Sequence, residues 1–314
     1  MSKKIIIPIV IWGDSYINNF VKYTYKNLIY EINEYSSFYK KFNIQIIICT
    51  QLKSFNIFKT LFKNLIINLK LININKLINS KIKNLDKYQL LKIIQQGIFY
   101  KFRSNNIFLL LYPDFIWKIG SLKFVIEKIL NKKLVLAYCP QSIEESYEEI
   151  KFDAKFLKRD FEEFIIKNLH PIVKSNEYNE KNFNFTTAAS IINITLNGYV
   201  FRSFHLHPIA LNSGKFCEND FLSPINVSLD EDFVSNLNLN KKDYYIPKKS
   251  SDMIFSSLLG LNELLLPKNI HQNNFENYYY WAEMYAQKIH IEFSKNIFFL
   301  GKKSSQDEKI IQKL

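Results

Sequence analysis

Five consecutive apolar residues, Ile107 to Leu111, run into Tyr112-Pro113-Asp114, and this stretch constrains the fold more than any other. The run is too short for a helix and is bounded by Asn105-Asn106 and Pro113, so it reads as a fully buried strand. Gly120 and Ser121 open a second element. Leu122, Val125, Ile126, Ile129 and Leu130 recur there at i, i+3, i+4, i+7 and i+8, one face of a helix with Ser121 as its N-cap. In an open α/β sheet, ligands occupy the crevice outside the carboxyl ends of the strands. Asp114 therefore stands where a metal- or phosphate-site residue belongs. The plainer alternative is that it hydrogen-bonds its own turn.

The same grammar repeats on either side. Lys4 to Trp12 is a first strand and Trp12-Gly13-Asp14 its turn. A helix follows, capped by Asp14 or Ser15, with Ile17, Phe20, Val21, Thr24 and Leu28 on one face. The opening MSKKIIIPIVIWGDS imitates a secretory leader, but its apolar run is short, holds Pro8 and meets no small-residue cleavage site, so a strand is expected. Phe42 to Thr50 is strand two. A short helix and a third strand, near Ile66 to Ile74, fit the next segment. Asp86 caps a helix that buries Leu91, Ile94, Ile98 and Phe102, and Gly97 in its interior suggests close packing on the sheet. Leu134 to Tyr138 is a further buried strand. Strand and helix alternate throughout, which implies a mostly parallel sheet. Neither GxGxxG nor GxxxxGK[ST] occurs, so the two common glycine-rich phosphate cradles are absent.

A formal charge of +13 suggests a polyanionic partner. Nucleic acid is a poor fit. The arginines that favour base-edge readout are confined to Arg103, Arg159 and Arg202, and the lysines are scattered rather than striped. No nucleic-acid partner is expected, and peripheral membrane contact at most. No apolar stretch reaches the ~20 residues of a membrane span. Cys49, Cys139 and Cys217 are far apart, with no zinc spacing and no disulfide framework, which suggests a reducing, cytoplasmic setting.

The second half reads differently. SIEESYEEI is an acidic loop or solvated helix start. Phe156 to Leu169 is one amphipathic helix stopped by His170-Pro171, and Thr187 to Ile194 another helix. Asn197-Gly198 marks a turn, and the segment after it runs as a strand to FHLHP. In a strand His205 and His207 share a face. Two imidazoles with the carboxylate of Asp114 would suit Mn²⁺ or Mg²⁺ rather than structural Zn²⁺; two ordinary strand histidines are the alternative. An aromatic stripe from Phe275 to Ile289 is read as core packing.

Three segments in this order, IPIVIWGDSYINNF, LLLYPDFIWKIGSL and FRSFHLHPIAL, resemble a group of bacterial glycosyltransferases with the nucleotide-diphospho-sugar transferase (GT-A type) fold. The matching positions are Trp12, Gly13, Tyr16 and Phe20; Pro113, Asp114, Gly120 and Ser121; and Phe204 to Pro208. The resemblance spans about residues 5 to 260. It implies a mostly parallel α/β domain flanked by helices over 1–260 and a helical extension over 261–314. It further implies a nucleotide-sugar donor near Trp12, Gly13, Asp14 and Thr50, and a glycan or glycolipid acceptor. Asp114, His205 and His207 would hold a divalent metal. Among the acidic residues downstream, Asp230 and Asp232 are the candidates for a catalytic base, with Glu231 and Asp252 beside them. The sequence departs from the family's DxD: Asp114-Phe115-Ile116 lacks the second carboxylate, and Lys118 stands where an acid is expected. Either Asp114 and the histidines suffice, or Lys118 replaces the metal's charge at the phosphate, or the site is weakened; the rival reading is a non-catalytic scaffold that keeps the fold.

Overall fold

In the computed structural model, residues 3–63, 65, 67–77, 87–177, 190–204, 206–221, 233–234, 236–262 and 287–301 are described. Their strands are β1 (Lys4–Val10), β2 (Asn43–Thr50), β3 (Asn68–Asn73), β4 (Ile107–Leu109), β5 (Phe115–Trp117), β6 (Leu134–Ala137), β7 (Gln141–Ile143), β8 (Ser190–Thr195), β9 (Gly198–Ser203), β10 (His207–Asn212), β11 (Tyr244–Tyr245), β12 (Phe255–Leu259) and β13 (Phe298–Gly301). The helices used below are α1 (Asp14–Asn19), α2 (Tyr25–Glu34), α3 (Ser36–Tyr39), α4 (Phe55–Phe62), α5 (Ile74–Leu77), α6 (Lys87–Phe102), α7 (Ser121–Ile129), α8 (Ala154–Arg159), α9 (Phe161–Lys167), α10 (Pro171–Lys174) and α11 (Lys288–Ser294).

The chain divides into two compact units. The first comprises Met1–Asp114, Val125–Leu136 and Pro208–Tyr245, the second Phe115–Phe124, Ala137–His207 and Ile246–Leu314. The first carries a seven-stranded sheet in the order β11-β6-β10-β4-β1-β2-β3. Pairs β1–β2, β2–β3, β1–β4 and β6–β11 are parallel, while β10 runs antiparallel to β4. This is the mainly parallel, helix-flanked sheet expected from the alternation. Its centre is built from the isoleucine-rich runs. Ile5, Ile6, Ile7, Ile46, Ile47 and Ile48 are all buried, because a strand covered on both faces has no solvent side on which to alternate. Pro8 lies inside β1 opposite Ile47 and ends neither strand.

The second unit holds two three-stranded sheets, β5-β12-β7 and β13-β9-β8. Aromatic side chains dominate its core. Tyr138 stacks on Phe298 at 4.8 Å between centroids, and Tyr147 meets Phe164 edge-on at 4.7 Å. Of the C-terminal segment, the described residues form α11 and β13, and β13 pairs with β9.

Several local expectations change. The helix expected over Phe156 to Leu169 is two helices. α8 starts at Asp153, whose carboxylate accepts from Phe156 N at 2.9 Å, and Asp160 separates α8 from α9. His170 caps the start of α10, its Nδ1 accepting from Ile172 N at 3.2 Å. The helix expected from Thr187 to Ile194 is the strand β8 where it is described, since Ser190 to Thr195 pairs residue for residue with β9. The acidic run beginning at Ser142 forms β7 and a 3-10 turn, and Tyr147 within it is buried. Ser121 does not cap α7. Its hydroxyl accepts from Ile254 N at 3.1 Å and donates to Ile254 O, and the flanking Gly120 has φ +101°. Gly97 is not packed tightly on the sheet: no described atom lies within 4 Å of where its Cβ would stand. Asp86 and most of the Phe275–Ile289 stripe lie outside the described residues.

Candidate functional site

The carboxyl ends of three neighbouring strands in the first unit bring the expected donor residues to one edge. β1 lies between β2 and β4 in parallel register, with Val10 opposite Cys49 and Ile6 opposite Phe108. Adjacent strands stand about 4.8 Å apart. Trp12, Thr50 and the Pro113-Asp114 turn therefore leave the sheet on the same side. Ile11 N still donates to Cys49 O at 2.9 Å, so the chain departs from β1 only at Trp12.

Gly13 makes that departure possible. Its φ is +86°, a region that L side chains rarely adopt, and its carbonyl accepts the first helical bond, from Ile17 N at 3.1 Å. Asp14 opens α1 with its side chain 80% exposed, 3.2 Å from Lys53 Nζ just beyond β2. An ion pair this open contributes little to stability. It does link the turns after β1 and β2. Thr50 is fully buried, and its hydroxyl has no hydrogen-bond partner among the described residues. A ligand reaches it only through local opening or a bridging water. Cys49, one residue earlier, has its thiol pushed up to about 12 by burial, so it is a packing residue rather than a nucleophile.

The helix after Gly13 is not regular. α1 passes into a π-helical segment, Phe20–Thr24, before α2 continues. Such an insertion rotates the side chains that follow it. Thr24, buried at its end, donates its hydroxyl to Pro113 O at 2.6 Å. The turn bearing Asp114 is thus tied to the first helix 89 residues earlier. Beneath Pro113 only a cavity of about 10 Å³ remains, against Pro8, Gln95 and Leu110. Asp114 is half-buried beside this packed floor.

The remaining candidates fall elsewhere. The strand expected to carry both histidines stops at Ser203, and a new strand begins at His207. Within the second unit the His207 ring meets Phe115 edge-on at 5.7 Å between centroids. His205, Asp230, Glu231 and Asp232 lie outside the described residues. Asp252 is half-buried in a turn, its amide donating to Lys249 O. Among the described residues no three His, Cys, Asp or Glu gather round one point, so these residues alone do not compose a divalent-ion site. Lys118 is not a free cation. Its ammonium lies 3.1 Å from Glu162 Oε2, and Ser250 Oγ donates to the other oxygen of Glu162 at 2.5 Å.

No family model matches the chain, and no curated protein does. Among solved structures it is similar to S. aureus TarS 1–349, at 10% identity and TM-score 0.40, over 81% of this chain and 60% of that one. It is also similar to mouse xyloside xylosyltransferase 1, at 9% identity and TM-score 0.33, over 44% of this chain and 53% of that one. A third is 4-diphosphocytidyl-2C-methyl-D-erythritol synthase from Anaerococcus prevotii, at 11% identity and TM-score 0.29, over 46% and 59%. The chain spans between half and about three fifths of the length of these three.

Proposed function

We propose that the chain is a glycosyltransferase that moves a sugar from a nucleotide-diphosphate donor to a glycan or glycolipid acceptor, such as a cell-surface polysaccharide. The observation that carries this reading is the grouping of the Gly13 turn, the Asp14–Lys53 pair and the clamped Asp114 turn at one carboxyl edge of a mostly parallel sheet. Trp12 and the backbone of the Gly13 turn would face the nucleoside, and the amides opening α1 would face its phosphates. Asp114 would fix the donor's diphosphate end. A divalent ion, when bound, would supply the counter-charge for the leaving group. The carboxylate of Asp114 offers it a hard oxygen, with His205 and His207 as the proposed nitrogen ligands. Asp230 and Asp232 remain the proposed bases on the acceptor hydroxyl. The net charge of +13 favours capture of such a polyanionic donor.

One observation favours a second reading, a non-catalytic binding protein that keeps the fold. The position of the missing second carboxylate is Ile116, which lies inside β5 and is fully buried. Calorimetric titration of UDP, GDP and CMP, each with and without Mn²⁺, separates the two. The transferase reading expects one nucleotide to bind the wild type and fail to bind Asp114→Ala, with the variant's circular dichroism unchanged. No binding of any nucleotide to the folded wild type would favour the scaffold.

A further inference from the structure

The first unit has a second feature, which the proposed donor edge does not use. β3 is the outer strand of the seven-stranded sheet, and its residues from Leu69 to Asn73 are only half-buried. Between it and α6 runs a trough of about 570 Å³. Phe55, Leu71 and Ile93 line it half-buried, and Leu52 stands 63% exposed at its margin. Gly97 of α6 also lines it, with no described atom within 4 Å of where a side chain would start. The volume is that of a small-molecule pocket, which is commonly about 300–1,000 Å³.

Charge is not spread evenly along it. α6 leads directly into β4, so its last turn lies toward the end of the sheet where strands begin. Cations collect there. Lys70 Nζ sits 5.0 Å from the centroid of the Phe102 ring, Lys4 Nζ lies 5.8 Å from the same ring, and Lys101 lines the trough beside it. Among the described residues none of these lysines is in an ion pair. A helix C-terminus attracts cations by its dipole, which accounts for lysines at that end. It does not account for an apolar trough opening onto them.

We propose that the trough between β3 and α6 binds a free single-chain anionic amphiphile, a hydrocarbon chain ending in a phosphate or carboxylate. The chain would lie against Phe55, Leu71 and Ile93, where removing apolar surface from water drives binding. The acidic head would meet the ammonium groups of Lys70 and Lys101 in charge-assisted hydrogen bonds. This assignment stands apart from the transferase reading, because its ligand is not a nucleotide and Asp114 takes no part.

The test is calorimetric titration of the full chain with dodecyl phosphate below its micelle concentration. Dodecyltrimethylammonium serves as the opposite-charge control, and phosphatidylglycerol vesicles as the bilayer control. Saturable one-to-one binding of dodecyl phosphate is expected, with no binding of the cationic amphiphile. The double variant Lys70→Glu/Lys101→Glu, with circular dichroism unchanged, should weaken binding about tenfold or more. Gly97→Leu should abolish it by occupying the trough, with unchanged circular dichroism. Equal binding of both amphiphiles, wild-type affinity in either variant, or binding to vesicles without binding of the monomer would each overturn the proposal.

Discussion

Two glycines in this chain should respond to the same substitution with opposite signs. Gly198 begins β9 and pairs with Gly301 at the end of β13. A Cβ on Gly198 would stand 1.9 Å from Leu300 O, 2.9 Å from Leu300 C and 3.1 Å from Gly301 Cα. All three are backbone atoms of the partner strand, so no rotamer change relieves the overlap. The ladder must open at that end. Overpacking of this kind costs about 1–3 kcal/mol, and each ladder hydrogen bond lost adds about 1 kcal/mol. Gly198→Ala should therefore destabilise the second unit by about 2–4 kcal/mol. Gly97 lies inside α6 with no described atom within 4 Å of its Cβ position. There alanine meets no obstacle and restricts the unfolded chain, so Gly97→Ala should stabilise the first unit by about 1 kcal/mol. Urea unfolding followed by circular dichroism gives the net change. Hydrogen exchange assigns it, since the Leu300 amide should lose protection in the first variant and the α6 amides gain it in the second. A Gly198→Ala protein within about 0.5 kcal/mol of wild type would refute the steric argument. A destabilised Gly97→Ala would show that the space beside α6 is filled.

Lys133 should make a pH-dependent contribution. Its ammonium lies 2.7 Å from Asp220 Oδ1 and 3.6 Å from Asp243 Oδ1. Burial alone would raise the Asp220 carboxyl, but the Lys133 ammonium and the Cys217 amide and thiol outweigh it and hold it below the ordinary value. Burial alone would lower Lys133, and the two carboxylates outweigh that and raise it. The depressed carboxyl contributes stability above about pH 4 and loses it as pH falls through the folded value. The raised ammonium contributes below about pH 10 and loses it as pH rises through its folded value. Lys133→Met should cost about 1–3 kcal/mol near neutrality, and its difference from wild type in urea midpoint should shrink toward both extremes. A difference that is flat with pH counts against this pairing. Thr24→Val removes the hydroxyl that holds Pro113 O, so it should cost about 1–2 kcal/mol and weaken nucleotide binding in the same calorimetric assay. Unchanged affinity would remove Thr24 from any part in placing Asp114.

Much of the first unit was legible in its residues. A parallel strand buried on both faces leaves an uninterrupted apolar run, and β1, β2, β4 and β6 lie where those runs predict them. α6 and α7 follow from helical spacing in the same way. At β8 a helix was expected instead of the strand. Ser-Ile-Ile-Asn-Ile-Thr before Leu196-Asn197-Gly198 carries a tight hairpin signal, and pairing with β9 decides it. The break at Asp160 left no comparable mark, because the apolar face of α8 continues in phase with that of α9.

At the carboxyl edge of the sheet, sequence alone placed Trp12, Gly13, Asp14, Thr50 and Asp114 at strand ends, since where an apolar run stops is a local property. The residue order likewise shows the absence of the common phosphate-binding loops, and the composition sets the charge. Tertiary structure decided what those residues can do. It buried Thr50, turned Asp14 outward to Lys53, neutralised Lys118 with Glu162 and fixed the Asp114 turn through Thr24. It also left Gly97 beside open space rather than against the sheet. Each of these depends on groups far apart in the chain meeting at hydrogen-bond or van der Waals distance. The spacing of neighbouring residues carries no record of such meetings.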